Sequence, residues 1–134
     1  TWASPCKLGR LFENPDLMEQ WHKEGVIYIP NGRTKQQMPM YIDYYNDFQE
    51  NGERLDVLNA ASKIDIPWLI VHGSNDPTVP VSDAEKLHEI NPASKLTIIQ
   101  DGDHTFGGKH PWESSDLPED SLKVAFATIA FLKH

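Results

Sequence analysis

Two short apolar runs constrain this chain more than any other feature. The first is Ile66-Pro67-Trp68-Leu69-Ile70-Val71-His72, and the second is Leu96-Thr97-Ile98-Ile99. The first run is continuous rather than alternating, as in a strand covered on both faces of a parallel sheet. Pro67 near its start is compatible with a strand. Between the runs, Val81 to Ile90 reads as a helix. Ser82 is its expected cap, Asp83 and Glu85 lie near its positive end, and Asn91-Pro92 terminates it. A strand, a crossover helix and a second buried strand make a βαβ step, so the expected fold class is α/β, a parallel sheet flanked by helices. Pro118 to Leu132 is the expected closing helix, with Leu122, Ala125, Phe126, Ile129, Ala130 and Leu132 as its inner face.

Both runs lead into polar loops, and those loops carry the chemistry. After the first comes His72-Gly73-Ser74-Asn75-Asp76-Pro77-Thr78-Val79-Pro80, and after the second comes Gly102-Asp103-His104-Thr105-Phe106. In open α/β sheets, ligands bind beyond the carboxyl ends of the strands. The positions differ by 104 − 76 = 28, which one helix and one strand would occupy. That spacing brings Asp76 and His104 to the same edge of the sheet. A serine hydroxyl is a poor nucleophile near neutral pH and needs an imidazole to take its proton. The imidazole in turn needs a carboxylate to fix its tautomer and stabilise its cation. Asp76 and His104 suit these two tasks.

Plainer readings stand beside this one. Asp76 before a proline is also a turn former, and a loop histidine such as His104 also caps carbonyls. Asp101 and Asp103 compete as the acid, but side chains next to His104 in sequence point elsewhere. His72 reads as structural or as a support behind the pair, and Gly73 as the residue a tight turn requires. Phe106 and Trp112 are pocket-lining candidates or plain packing. A metal site built from His72, Asp76, His104 and His110 is the rival chemistry, but the sequence lacks the helical His-x-x-x-His spacing and the cysteine pair that would support it.

The two loop segments resemble the C-terminal portion of an α/β-hydrolase of the dienelactone hydrolase-like or serine peptidase/esterase-like kind. The likeness is strong over residues 62–134 and weaker over 1–61. It implies that Asp76 is the triad acid and His104 the triad base, in the family order Ser, Asp, His. The family nucleophile sits in a Gly-x-Ser-x-Gly turn, and no such pattern occurs in this sequence. The resemblance therefore implies that the serine lies upstream of Thr1 and that residues 1–134 are a single, incomplete domain. A whole domain of this type runs to about 200–250 residues. The implied activity is hydrolysis of a small-molecule ester, thioester or amide without a cofactor. The alternative is a non-catalytic, self-associating remnant of the fold. In either case the expected partner is the missing N-terminal half, or a second copy joined through the cut sheet edge.

The first sixty residues are less constrained. Thr1 to Ser4 looks like the tail of a strand, and Ser4 reads as a strand-end serine rather than a nucleophile. Asn14-Pro15-Asp16 opens a helix that carries Leu17, Met18 and Trp21 on one face and stops at Gly25. A hairpin is expected from Val26–Ile29, a Pro30-Asn31-Gly32 turn and a return over Arg33–Gln37. Met40 to Asn51 reads as a helix, with Tyr41, Tyr44, Tyr45 and Phe48 at helical spacing. Arg54 to Ala61 is a further short helix. By the resemblance, residues 9–55 are a lid-like insertion, with Trp21, Tyr41, Tyr44 and Tyr45 as candidate pocket walls; ordinary helix packing is the plainer reading of the same stripe.

Composition excludes several classes of partner. The net charge is −8 and the pI about 5.1, which argues against nucleic acid or an anionic membrane. No apolar run approaches the roughly 20 residues that span a bilayer. Cys6 is the single cysteine, so no intrachain disulfide forms and a cytoplasmic setting is expected.

Overall fold

The computed structural model describes residues 1–32 and 34–133. Its helices are α1 (Pro15–Glu24), α2 (Asp43–Glu50), α3 (Val57–Ser62), α4 (Val81–Ile90) and α5 (Glu119–Leu132). Its strands are β1 (Val26–Pro30), β2 (Gln37–Tyr41), β3 (Leu69–Gly73) and β4 (Lys95–Ile99). These elements fall into two compact units, Lys7–Asp56 and a larger one made of Thr1–Cys6 with the residues from Val57 onward.

The larger unit is an α/β layer structure. Strands β3 and β4 pair in parallel, with Leu69 opposite Lys95 and Gly73 opposite Ile99. On its other side β3 meets Thr1–Ala3: Val71 donates to the Thr1 carbonyl and accepts from the Ala3 N–H, both at 2.9 Å. All five residues of β3 are buried. Side chains alternate between the faces of a strand, and the core divides accordingly. Leu69 and Val71 join Ala3, Ile99, Phe106 and Val124 in one cluster, against which Phe131 packs. Ile70 joins Ala61, Ala84 and Leu87 in the other. Helix α5 thus covers one face of β3, and α3 and α4 cover the other.

Local chemistry explains most boundaries. The Asn14 side chain accepts the Leu17 N–H at 3.1 Å, Pro15 follows it, and Gly25 closes α1 in the left-handed region at φ 73°. Strand β3 begins at Leu69, three residues later than expected from Ile66, so Pro67 lies before the ladder. Ser82 does not cap α4; Pro80 holds that position without a side-chain bond.

The hairpin differs in register from expectation. The Asn31 carbonyl accepts the Lys35 N–H, and the Asn31 N–H donates to the Gln36 carbonyl. The reversal therefore consumes residues through Gln36, and the return strand is β2 rather than Arg33–Gln37; Arg33 itself lies outside the described residues. Met40 pairs with Ile27 and Tyr41 with Val26, so both are strand residues and α2 starts only at Asp43. Tyr41 therefore leaves the aromatic stripe and is 60% exposed. The rest of the stripe packs round Phe12 without being buried, Tyr44 being 43% exposed. Phe12 lies 5.0 Å from both Tyr45 and Phe48 and 5.7 Å from Tyr44, by ring centroid. Trp21 stacks on Tyr44 and has no exposed surface, which corrects its reading as a pocket wall.

The face of α5 also departs from expectation. Val124 is fully buried, whereas Leu122, Phe126, Ile129 and Leu132 are exposed, Phe126 by 66%. The helix is apolar on both sides, so periodicity alone does not choose the face that packs. Exchanging Val124 for Ala removes buried methyl groups and leaves a cavity, and should cost about 2–3 kcal/mol. Phe126→Ala should stay within about 0.5 kcal/mol of wild type. Urea unfolding of the two variants checks the assignment.

Candidate active site

The loops after β3 and β4 are stitched together by backbone. The Ser74 N–H donates to the Ile99 carbonyl at 2.9 Å and the Asn75 N–H to the Gly102 carbonyl at 3.0 Å. The Ser74 hydroxyl accepts the Asp101 N–H at 2.8 Å. Asp101 sits in the left-handed region at φ 58°, which aspartate tolerates better than most residues. Gly73 makes the approach possible. A Cβ there would lie 2.1 Å from the Gly102 oxygen, so glycine is needed for clearance between two backbones rather than for a tight turn.

This stitching brings Asp76 and His104 together. His104 Nδ1 lies 2.8 Å from Asp76 Oδ2. The Asp76 side chain has no exposed surface, while the His104 side chain is 38% exposed. The other carboxylate oxygen, Oδ1, accepts the Thr78 N–H at 2.8 Å and the Val79 N–H at 2.9 Å. Burial is the largest single influence on the Asp76 carboxyl and pushes its pKa up. The Val79 N–H, the His104 bond, the Thr78 N–H and the His104 charge together outweigh it, and the carboxyl is held below its ordinary value. An ionised carboxylate only accepts hydrogen bonds, so His104 donates a hydrogen from Nδ1 to Asp76, and in the neutral ring the lone pair is then on Nε2. Such an imidazole has the tautomer of a general base.

The histidine loop has its own brace. Asp103 Oδ1 accepts the Thr105 N–H at 2.9 Å and the Gly107 N–H at 3.0 Å. The Gly107 bond, followed by those of Thr105 and Phe106 and opposed by burial, holds the Asp103 carboxyl below its ordinary value. Asp103 is thus engaged with its own loop. Phe106 adopts φ 52°, unusual for a bulky side chain, and is buried in the core rather than lining a pocket. The Ser121 hydroxyl donates to its carbonyl at 2.8 Å. His72 is fully buried below Asp76 in sequence, its Nε2 3.4 Å from Asp76 Oδ2.

The remaining candidates lie apart from this arrangement. His110 and Trp112 line an open surface recess to which neither Asp76 nor His104 contributes. Ser4 is half-buried in irregular chain after the Trp2 bridge. Among the described residues no cluster of three or more His, Cys, Asp or Glu is suited to hold a metal ion. Nor is any described helix long and apolar enough to cross a membrane. The bracing role of Ser74, Gly102 and Ser121 had no signal in sequence spacing, because each acts through a partner distant along the chain.

No known family model matches this sequence. Over 61 residues it is 34% identical to the human protein named serine hydrolase BPHL, a match that covers 46% of this chain and 21% of that protein. The chain therefore spans about a fifth of the length of the curated relative it matches. Among solved structures, a putative hydrolase from Agrobacterium vitis S4 superposes with a TM-score of 0.67 at 20% identity, over 97% of this chain and 47% of that one. The esterase domain of a Rhodothermus marinus protein superposes with a TM-score of 0.57 at 13% identity, over 98% of this chain and 48% of that one. The fold shared with these structures is the α/β-hydrolase fold.

The Asp76 carboxyl, with a native pKa below its ordinary 3.8, is bound to more protons in the unfolded chain than in the folded one across the acid range. Its contribution to stability is therefore complete above that ordinary value and is lost as pH falls through the lower native one. Asp76→Asn should flatten this part of the acid limb without abolishing it, since Asp103 shifts in the same direction. Unfolding free energies measured from neutral pH down to pH ~2 report the difference.

Proposed function

We propose, from the α/β-hydrolase fold of this chain, that it supplies the acid and the base of a serine-type hydrolase. Asp76 orients His104, and His104 takes the proton of a serine and then returns it to the leaving group. The nucleophile and the oxyanion donors belong to polypeptide preceding Thr1. The substrate class is a small-molecule ester, thioester or amide. One observation carries the reading: a half-exposed imidazole whose Nδ1 lies 2.8 Å from a fully buried carboxylate. Two features support an upstream serine. The sequence contains no Gly-x-Ser-x-Gly, and the solved hydrolase structures it resembles extend over about twice its span. Residues 9–55, which fall within the compact unit Lys7–Asp56, are read as an insertion of the lid type, and the single Cys6 fits a reducing, cytoplasmic setting.

In a polypeptide that contains both this chain and the serine, a fluorophosphonate should label the serine and a p-nitrophenyl ester should be hydrolysed. Asp76→Asn should lower kcat by roughly 10⁴-fold, because a carboxamide favours the wrong imidazole tautomer. His104→Ala should abolish labelling on the same time scale. Labelling that proceeds at the wild-type rate in His104→Ala would falsify the assignment.

A second reading rests on a separate observation. The stripe Leu122, Phe126, Ile129 and Leu132 leaves apolar surface on α5, and Trp2 is 53% exposed beside it, its indole bonded to Thr128. Exposed apolar area of this kind marks an association surface. On this reading the 134-residue chain by itself is inactive and associates, with another part of the fold or with a second copy. Light scattering should then give a mass above 15.2 kDa for the isolated chain. A monodisperse monomer that unfolds cooperatively counts against it.

A further inference from the structure

The catalytic reading leaves one ionisable side chain beside the pair unused. His72 is the fourth residue of β3, and its ring has no exposed surface. Its Nε2 is 2.9 Å from the Val79 carbonyl oxygen. A carbonyl only accepts, so Nε2 carries a hydrogen and donates it. The opposite ring nitrogen, Nδ1, is buried without a hydrogen-bond partner among the described residues. A proton on Nδ1 would be a buried N–H with no acceptor, so the geometry selects the Nε2–H tautomer.

That same Nε2 lies 3.4 Å from Asp76 Oδ2, the oxygen that His104 engages at 2.8 Å. Val79 links the two contacts. Its carbonyl accepts from His72, while its N–H donates to Asp76 Oδ1 at 2.9 Å. His72 thus grips the loop at Val79, one residue before Pro80, and borders the carboxylate at the loop's centre. Asp76 and the Val79 peptide are the polar groups that meet its Nε2.

We propose that His72 is a positioning residue: its Nε2–H, anchored on the Val79 carbonyl and bordering Asp76 Oδ2, holds the Asp76–Val79 loop so that Oδ2 stays aimed at His104 Nδ1. This deepens the catalytic reading and rests on it. A leucine fills comparable space but leaves the Val79 carbonyl without its donor. A glutamine carries an amide nitrogen near the position of Nε2 and restores that donor. A residue that only packs would respond to the two changes in the opposite sense, because leucine is the better apolar filler.

The test reads ring nitrogens by NMR in the full 134-residue chain labelled with 15N at histidine. In wild type, His104 should carry its proton on Nδ1, with that proton shifted downfield by the carboxylate, and His72 should carry its own on Nε2. In H72L the downfield His104 proton should be lost, and in H72Q it should return. A folded H72L that keeps the wild-type His104 signal overturns the proposal. So does a wild-type His72 protonated on Nδ1 alone, an observation that needs no variant to fold. The reading beneath it fails differently: a wild-type His104 with a bare Nδ1 overturns the Asp76–His104 pair itself, whereas a paired His104 beside the wrong His72 tautomer overturns only the role given to His72.

Discussion

Two backbones pass in contact at Gly73 and Gly102, and the site depends on that crossing. A methyl group on residue 73 would fall 2.1 Å from the Gly102 oxygen and 2.5 Å from its carbon. Neither atom belongs to a side chain that can swing away. Because residue 73 is glycine, the loop that leaves β3 lies directly on the loop that leaves β4. Once they touch, Ser74 and Asn75 find the Ile99 and Gly102 carbonyls within hydrogen-bond distance. The parallel pairing of β3 with β4 brings the strand ends level, and the glycine removes the one obstacle between their loops.

A buried carboxylate is the energetic cost of this design. Withdrawing a carboxylate from water costs several kcal/mol even after relaxation. The cost is offset only where donors are already aimed at both oxygens. Thr78 and Val79 supply two backbone N–H groups to Oδ1, and His104 supplies Nδ1–H to Oδ2. Both backbone donors come from the loop that follows Asp76 itself, so the carboxylate and its anchors form as one turn. The histidine then meets a fixed acceptor, and the rest of its ring stays open to solvent. A carboxylate that is rigid and dry thus sits beside an imidazole that solvent can reach.

Sequence made parts of this legible for identifiable reasons. Continuous apolar runs and helical spacing gave the β3, α4, β4 order, because local periodicity reports burial. The meeting of Asp76 with His104 was legible because the loops beyond parallel strands converge on one edge. The register of β2 was not, because Asn31 binds both Lys35 and Gln36 and delays the return strand. The packed face of α5 was not, because both of its sides are apolar and only the contact of Val124 with the sheet decides between them. Gly73 was singled out for the wrong reason: a turn is a local demand, whereas the constraint is a neighbour almost thirty residues away. Ser74 and Ser121 share that difficulty, since a serine hydroxyl bound to a distant backbone group looks like any surface serine in sequence.

Strand β3 resolves why core and site are not separate parts here. Its alternation sends Leu69 and Val71 into the cluster beneath α5 and Ile70 into the cluster beneath α3 and α4. Those three residues hold the strand from both faces. Continued by the same period of two, the alternation puts His72 on the face of Ile70 and Gly73 on that of Val71. One is a buried ring bonded to the carbonyl of Val79, and the other is the vacancy through which the Gly102 backbone passes. Slipping β3 by one residue would exchange the two faces, and would bury the strand's hydrophobic set against the wrong helices as well as misplace ring and vacancy. The register that packs the core is therefore the register that aligns Asp76 with His104, and any change that preserves the first constrains the second.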